Sequence, residues 1–281
     1  MVAPLVDVHE LVTRLDDPAW VLVDCRFRLD DPTAGARAFE AGHIPGAYYA
    51  RLDRDLAGPP GVGTGRHPLP EPEALARRLG AWGVGPGRIV VAYDDAGGAV
   101  AARLWWLLRW LGHDAAAVLD GGYPAWTAAG LPVTRELAPP EPAAFSPRPD
   151  PDRWVAVERL EAALAAGRVV LLDARDPERF RGEREPFDPV AGHVPGAINV
   201  PYAGNLGPDG RLLSPESLRE RFSRALGGRP AGDAVVMCGS GVTACHDLLA
   251  MEVAGLPGAR LYPGSWSEWV AGAERPVARG P

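Results

Sequence analysis

Cys238 has the sequence setting of a sulfur nucleophile. It follows an apolar run that starts at Val235, and it precedes the loop Gly239-Ser240-Gly241-Val242-Thr243, after which a helical pattern begins. This order places the cysteine at the carboxyl end of a parallel strand and beside a helix N-terminus, where open α/β sheets bind ligands. Backbone N–H groups of the loop and the helix dipole would stabilise a thiolate there. The pattern predicts nucleophilic chemistry that needs no neighbouring lysine or histidine base.

Three other interpretations of Cys238 are weaker. A free cysteine is often a small buried apolar residue, but a core position gains nothing from a Gly-Ser-Gly loop directly after it. A phosphatase loop would need an arginine at its far end to hold phosphate, and Thr243, Ala244 and Cys245 stand there. A thioredoxin-type dithiol has its cysteines three positions apart, whereas Cys238 and Cys245 are seven apart.

The chain contains no lysine, since all 29 of its Lys and Arg residues are arginine. Without lysine there is no Schiff-base nucleophile, no pyridoxal-phosphate anchor and no Walker-type phosphate loop. Any bound anion must be held by arginine, histidine, hydroxyl or backbone N–H groups. The formal net charge of −7 argues against nucleic-acid binding.

The spacing of cysteines and histidines matches neither a disulfide framework nor a zinc site, so we expect no metal and no cofactor. Three scattered cysteines indicate a reducing compartment. Asp7 and Glu10 interrupt the N-terminal segment before any apolar stretch reaches the length of a signal peptide. No later run reaches about 18 apolar residues, the length needed to span a membrane. We therefore expect a soluble, cytoplasmic protein with no membrane contact.

The positioning elements occur twice. The segment from Val21 to Arg26 has a counterpart 149 residues later, and the Gly-His-x-Pro-Gly-Ala motif at Gly42 recurs 150 residues later at Gly192. Trp126 matches Trp269 at an offset of 143. A constant order with a drifting offset indicates two duplicated domains with small loop insertions.

Each copy alternates short aliphatic runs with helical patterns, which indicates βαβ units. The fold class is therefore α/β, with a mainly parallel sheet flanked by helices on both faces in each copy. A proline-rich linker at 138–152 would separate an N-terminal domain (1–137) from a C-terminal domain (153–281). The predicted strands are Val21–Val23, Ile89–Tyr93, Arg168–Leu172 and Ala234–Met237. The predicted helices are Pro72–Leu79 and Pro215–Leu226, the second capped by Ser214.

These motifs together resemble the rhodanese family of tandem-domain sulfurtransferases over essentially the whole chain. The Asp-x-Arg and Gly-His-x-Pro-Gly-Ala elements are duplicated in register, and the Cys238 loop closes the second copy. The resemblance implies that only the C-terminal domain is catalytic, and the offset places Asp95 at the cysteine position of the first domain. It also implies that Cys238 carries sulfur as a persulfide held by the loop Gly239, Ser240, Gly241, Val242 and Thr243, with Arg179 binding the donor anion.

The donor and the acceptor stay open. The loop after Cys238 resembles that of 3-mercaptopyruvate sulfurtransferases, whereas well-known thiosulfate enzymes place basic residues there. Mercaptopyruvate enzymes carry a second arginine nine residues after the Arg179 position, and this chain has Asp188 instead. A small anionic donor is thus expected, with a thiol, cyanide or a thioredoxin-like protein as acceptor. A persulfide carrier or regulatory sulfur-binding module with little turnover of small donors is the alternative.

Several other polar residues have structural interpretations. We expect His43 and His193 to bond backbone in their turns, and the repeated Asp-x-Arg pairs (Asp24 with Arg26, Asp173 with Arg175) to tie loops by ion pairs. Arg181 and Arg184 are expected at the surface. Arg66 and His67, in a glycine-rich loop of the first copy, are weaker candidates for the cleft. Cys245 is expected to be an apolar helix contact, with resolution of an oxidised Cys238 as its alternative role.

Overall fold

The chain folds as two α/β units, each built on its own parallel sheet. The computed structural model describes residues 2–139 and 141–281, so residue 140 of the predicted linker lies outside the described residues. One unit comprises the chain up to Gly58, Leu69–Asp150 and Pro208–Leu212. The other comprises Pro59–Pro68, Pro151–Gly207 and Leu213–Pro281.

Every strand pair within the two sheets is parallel among the described residues, as the βαβ pattern predicts. The sheet order is β1-β5-β4-β2-β3 in the first unit and β7-β6-β8-β9 in the second. The strands are β1 Leu5–Val6, β2 Trp20–Asp24, β3 Tyr48–Tyr49, β4 Ile89–Tyr93, β5 Ala116–Leu119, β6 Val170–Asp173, β7 Ile198–Asn199, β8 Ala234–Met237 and β9 Arg260–Leu261.

Helices connect and flank these strands. They are α1 Val8–Val12, α2 Ala34–Ala41, α3 Leu52–Asp55, α4 Pro72–Ala81, α5 Ala101–Trp110, α6 Gly122–Ala128, α7 Val157–Ala165, α8 Pro177–Arg181, α9 Pro215–Leu226, α10 Ala244–Val253 and α11 Ser265–Trp269. Short 3₁₀ helices lie at Pro151–Arg153, Tyr202–Asn205 and Ala231–Asp233.

The predicted elements agree with the structure where local signals are strong. The bounds of β4, β8 and α9 are those expected, and the Ser214 side chain accepts the N–H of Ser217 as an N-cap. Strand β6 begins at Val170 instead of Arg168, because Gly167 and Arg168 still bond back to the end of α7. All four residues of β8 are buried, which shows that the sheet is covered on both faces.

The repeated Asp-x-Arg motif braces the same corner in both units, as predicted. The Arg26 guanidinium contacts the Asp24 carboxylate at 2.6 Å and donates to the carbonyl of Gly42 at 2.8 Å. In the second unit Arg175 contacts Asp173 at 2.7 Å and the carbonyl of Gly192 at 2.8 Å. Each buried pair therefore ties a strand end to the turn of the Gly-His-x-Pro-Gly-Ala motif.

The two motif histidines are structural in both units, as expected. His43 Nδ1 lies 2.8 Å from the carbonyl of Phe39, and His193 Nδ1 lies 2.8 Å from that of Phe180. Each imidazole stacks on the phenylalanine that it bonds, with ring centroids 3.8 Å apart. Both side chains therefore bond and stack within their own turns, which is the structural role expected of them.

The compact units do not follow the predicted division at residues 137 and 153. The proline-rich segment packs with the first unit as far as Asp150, through backbone hydrogen bonds from Ala143 to Gly80 and from Arg148 to Leu111. Residues 59–68 belong to the second unit although their sequence lies within the first copy. Composition reveals where the chain is irregular, but it does not reveal which unit an irregular segment packs against.

Candidate active site

Cys238 follows β8 directly and lies in a loop held from two sides. Its side chain is 2% exposed, and the Gly241 N–H donates to its Sγ at 3.1 Å. The Cys238 N–H donates to Ser265 Oγ, and the Cys238 carbonyl accepts the N–H of Trp266, both at 3.0 Å. The start of α11 thus fixes the backbone of Cys238, while the loop itself presents a donor to the sulfur.

Ser265 is a site residue that the sequence did not reveal. It is the only non-glycine residue with positive φ among residues 2–139 and 141–281, at 54°. Its hydroxyl accepts from Cys238 N and donates to the Tyr262 carbonyl at 2.9 Å. The corresponding residue of the first unit is Gly122, with φ 57°. The offset of 143 between Trp126 and Trp269 was a usable signal, because it aligns a serine with a glycine.

Gly239 and Gly241 lie so close to neighbouring atoms that a larger residue at either position would clash. Gly241 has φ 75°, and a Cβ there would lie 2.4 Å from the Pro263 carbonyl oxygen. A Cβ on Gly239 would lie 2.9 Å from Arg66 Nη2 and 3.2 Å from Arg179 Nη2. Two guanidinium groups therefore converge on Gly239, the residue that follows Cys238.

Arg179 and Arg66 reach this position from distant parts of the sequence. Arg179 is on α8. Arg66 is carried by residues 59–68, where Gly65 packs so closely that a Cβ would lie 2.4 Å from the Gly264 carbonyl oxygen. The Arg66 N–H donates to Ser267 Oγ at 3.1 Å. The packing of Gly65 and this hydrogen bond together fix the position of the Arg66 backbone.

Two acidic side chains neutralise the arginines. Glu185 accepts from Arg179 Nη2 at 2.7 Å and from Arg179 Nε at 3.1 Å. One oxygen of Asp188 pairs with Arg66, and the other lies 3.4 Å from Arg179 Nη2. Burial raises the pKa of the Asp188 carboxyl, although the hydrogen bond and charge of Arg66 oppose the rise. The ring of Phe187 lies against both arginines, with guanidinium-to-centroid distances of 5.0 and 5.9 Å.

Ser240 and His67 form a buried hydrogen-bonded pair in the same unit. His67 Nδ1 lies 2.8 Å from Ser240 Oγ, and both residues are 6% exposed. A hydroxyl bonded to an imidazole can pass a proton to a reacting group. Ser240 does not cap α10, because Thr243 occupies the N-cap position of that helix. The Thr243 side chain makes no capping hydrogen bond. Val242 is buried.

The first unit contains a corresponding loop with a carboxylate at its start. Asp24 pairs in register with Tyr93, and Asp173 pairs with Met237, so the residue that corresponds to Cys238 is Asp94. The Tyr123 N–H donates to the Asp94 carbonyl at 2.8 Å, as Trp266 does to Cys238. The prediction of Asp95 is therefore wrong by one residue, because the offset between the copies changes from 150 to 144 before this strand and to 143 after it. Asp95 instead pairs with Arg28 at 2.8 Å.

The Asp94 carboxylate demonstrates what this loop geometry binds. It accepts four backbone N–H groups at 2.8 to 2.9 Å, from Ala96, Gly98, Val100 and Ala101. Successive N–H groups that converge on one point form an anion nest. The duplicated loop is thus suited to an anion on the side chain at its start, which is a carboxylate in the first unit and a sulfur in the second.

Asp247 is a buried acid on α10, the helix that follows the loop. It accepts a hydrogen bond from Asn205 Nδ2 at 2.6 Å, and Asn205 in turn accepts one from Arg221 at 3.0 Å. Burial raises the pKa of the Asp247 carboxyl to about 8, against the hydrogen bond from Asn205 and the charge of Arg221. The carboxyl is therefore largely protonated at neutral pH.

We expect Asp247→Asn to remove part of the pH dependence of stability. The unfolded carboxyl has a pKa of about 3.9, so between about pH 4 and pH 8 the folded protein binds a proton that the unfolded chain has lost. The free energy of unfolding contributed by Asp247 must then fall as the pH rises through this window. Each pKa unit corresponds to about 1.4 kcal/mol, so the variant should gain on the order of a few kcal/mol relative to the parent by about pH 8.

Urea unfolding of both proteins at about pH 5 and about pH 8 measures this effect. Asp233→Asn is the control, because Asp233 pairs with Arg229 at a partly exposed site. Parallel stability profiles for the parent and Asp247→Asn would contradict the prediction.

The described residues offer neither a metal-binding cluster nor a membrane-spanning helix. No group of three or more His, Cys, Asp or Glu side chains there is arranged to hold a metal ion. None of the helices described above combines the length and the hydropathy needed to cross a membrane. The Cys245 thiol donates to the Gly241 carbonyl at 3.4 Å.

Comparisons with known proteins cover the whole chain. The family model of the rhodanese-like domain matches twice, at residues 7–129 and 156–272. The chain is 52% identical over 280 residues to a probable 3-mercaptopyruvate sulfurtransferase of Pseudomonas aeruginosa, a match that spans 99% of each chain. It is 43% identical over 267 residues to a putative thiosulfate sulfurtransferase of Mycobacterium tuberculosis, covering 94% of this chain and 92% of the relative.

A solved structure agrees with the fold. The 3-mercaptopyruvate sulfurtransferase of Leishmania major superposes with a TM-score of 0.84 at 32% identity. The superposition covers 97% of this chain and 75% of the other. Sequence and fold comparisons therefore point to the same group of proteins.

Proposed function

The chain belongs to the rhodanese family of sulfurtransferases, and we propose that it moves sulfane sulfur from 3-mercaptopyruvate to a thiophilic acceptor through a persulfide on Cys238. The resemblance inferred from the duplicated motifs is thereby confirmed. The observation that carries the proposal is the juxtaposition of a cradled thiol with two guanidinium groups. Gly241 donates to the sulfur, and both arginines converge at Gly239, the next residue after the nucleophile.

The first step transfers sulfur from donor to enzyme. The Cys238 thiolate attacks the sulfur of 3-mercaptopyruvate, and an S–S bond forms while the donor's C–S bond breaks. The electron pair of the C–S bond leaves on carbon as the enolate of pyruvate, which takes up one proton. The products are pyruvate and a Cys238 persulfide.

Ser240 and His67 are suited to supply that proton. Ser240 Oγ would protonate the enolate while receiving a proton from His67 Nδ1, 2.8 Å away. Ser240 is two residues beyond Cys238 in the same loop. This proton transfer replaces an unstable carbanion by a neutral methyl group.

The two arginines would hold the carboxylate of the donor. A guanidinium presents paired N–H donors that match a carboxylate, and such charge-assisted bonds also fix orientation. The arginine expected nine residues after Arg179 is absent from this chain, but Arg66 brings a second guanidinium to the same loop. This observation favours 3-mercaptopyruvate as donor, because Arg66 can supply the second guanidinium that is missing at position 188.

The loop N–H groups would stabilise the persulfide until an acceptor arrives. The Asp94 carboxylate, with its four N–H donors, is an intramolecular precedent for an anion in this cradle. The acceptor then attacks the outer sulfur, the S–S bond breaks and the Cys238 thiolate is released. We propose a thiol, such as that of a thioredoxin-like protein, or cyanide as acceptor, and a cytoplasmic location because the three cysteines are unpaired.

Thiosulfate is the second candidate donor, supported by the 43% identity to a putative thiosulfate sulfurtransferase. The same thiolate would attack the outer sulfur of thiosulfate, and the S–S bond of the donor would break with sulfite as leaving group. The first unit is assigned no sulfur transfer, since a carboxylate at Asp94 cannot carry sulfane sulfur.

Intact-mass measurement tests the proposal. The reduced protein, incubated with 3-mercaptopyruvate or with thiosulfate, should gain the mass of one sulfur atom, and Cys238→Ser should gain none. An unchanged mass with both donors would overturn the assignment. Steady-state turnover with cyanide or a small thiol separates an enzyme from a sulfur carrier, because a carrier loads once and stops.

A further inference from the structure

Asp188 contacts both Arg66 and Arg179, the two arginines that form the proposed donor clamp. One of its carboxylate oxygens pairs with Arg66, and the other lies 3.4 Å from Arg179 Nη2. Its side chain is 4% exposed, so solvent and salt screen these interactions weakly. A donor carboxylate that binds both arginines must therefore share them with a built-in carboxylate.

The charges around the clamp sum to zero before a donor binds. Arg66 and Arg179 contribute two positive charges, while Glu185 and Asp188 contribute two negative ones. Arg175, which also contacts Glu185 at 3.5 Å, adds no net charge because it is paired with Asp173. A 3-mercaptopyruvate molecule with its thiol protonated adds one negative charge, and a thiosulfate ion adds two. The thiolate of Cys238 adds the same charge in both cases.

On the sulfur-transfer function proposed above, we infer that Asp188 is a specificity-determining residue that makes the site favour monoanionic sulfur donors over dianionic ones. The electrostatic cost of an uncompensated charge in a poorly solvated site rises with the square of the net charge. Each added negative charge is therefore more costly than the one before. Because Asp188 removes one unit of compensation, it penalises a dianion more than a monoanion.

The remaining contacts keep the clamp in place without the Asp188 charge. Glu185 binds Arg179 with two hydrogen bonds from the other side. The Arg66 backbone is held by Ser267 and by the packing of Gly65 against Gly264. Removing one negative charge from Asp188 should therefore change the electrostatics of the clamp while leaving both guanidinium groups beside Gly239.

The experiment compares kcat/KM for thiosulfate and for 3-mercaptopyruvate in the parent protein and in Asp188→Asn. We expect the ratio of thiosulfate to mercaptopyruvate kcat/KM to rise by at least about 10-fold in the variant, a change equivalent to about 1.4 kcal/mol. Asp188→Glu, which keeps the charge, should retain the parent ratio. Glu183→Gln is the control for net charge, since Glu183 is 56% exposed and pairs only with Arg181 among the contacts described here.

The same ratio in Asp188→Asn and in the parent would overturn the inference while leaving sulfur transfer intact. Absence of turnover with both donors in the parent would instead contradict the proposed function. If the parent shows no turnover, or if Asp188→Asn is inactive, a binding measurement still tests the inference about charge. Sulfate and pyruvate are the dianionic and monoanionic probes, and titration calorimetry on Cys238→Ser with and without Asp188→Asn reports their affinities.

In this measurement the added substitution should strengthen sulfate binding more than pyruvate binding. Equal changes for the two anions would overturn the inference. If Asp188→Asn does not fold, Asp188→Glu provides the test, because a carboxylate moved by one methylene should keep the preference for pyruvate over sulfate. Loss of that preference in folded Asp188→Glu would show that shape, and not charge, sets the selectivity.

Discussion

Gly241→Ala should lower the rate of persulfide formation on Cys238 by about 100-fold or more, the effect of losing one donor that stabilises a reacting anion. The Gly241 N–H donates to Sγ at 3.1 Å, and a Cβ on this residue would lie 2.4 Å from the Pro263 carbonyl oxygen. The loop must shift to relieve that contact, which moves the N–H away from the sulfur. The left-handed backbone adds about 1 to 2 kcal/mol of strain for a residue with a Cβ.

Gly196→Ala is the matched control for this prediction. Gly196 lies in the same unit and has φ 80°, but a Cβ there would meet no heavy atom within 4 Å. It therefore imposes similar backbone strain without displacing the loop. Rapid mixing with 3-mercaptopyruvate followed by intact-mass analysis gives the rate, and urea unfolding gives the stability. Equal rates for the two variants would refute the role assigned to the Gly241 N–H.

Arg66→Ala and Arg179→Ala should each raise the KM for 3-mercaptopyruvate by about 10-fold to 100-fold, with a smaller effect on kcat. A hydrogen bond to a charged group contributes about 1.5 to 3 kcal/mol, which corresponds to this range of affinities. Each arginine is expected to bind the donor carboxylate in both ground state and transition state, so the loss should appear mainly in KM. Steady-state kinetics with a thiol acceptor measures both parameters.

Arg181→Ala is the control, because Arg181 is on the same helix as Arg179 but pairs at the surface with Glu183. Its kinetics should match those of the parent. An elevated KM for Arg179→Ala alone would mean that the clamp has one arm and that Arg66 serves only to hold Asp188. Unaltered KM in both arginine variants would show that the donor carboxylate binds elsewhere.

Local sequence determined much of this protein. An apolar run, a glycine loop and a helical pattern identified Cys238 and the end of β8, because these signals depend on neighbouring residues only. The capping serine and the terminal glycine of α9 fixed that helix for the same reason. The repeated motifs indicated two domains, and the match of the rhodanese-like family model to both halves agrees.

Tertiary structure alone decided how the anion site is built. Arg66 lies 122 positions before Asp188 in the sequence, yet the two side chains form an ion pair. No local pattern encodes that contact, because it depends on the packing of residues 59–68 against the loop after Cys238. The strand register was likewise needed to show that Asp94, and not Asp95, corresponds to Cys238. The offset between the distant residues Trp126 and Trp269 cannot reveal a one-residue insertion that lies between them and the strand. The sequence by itself thus predicted the proposed nucleophile and its loop, whereas the partner arginine and the acid between the two arginines became known only from long-range packing.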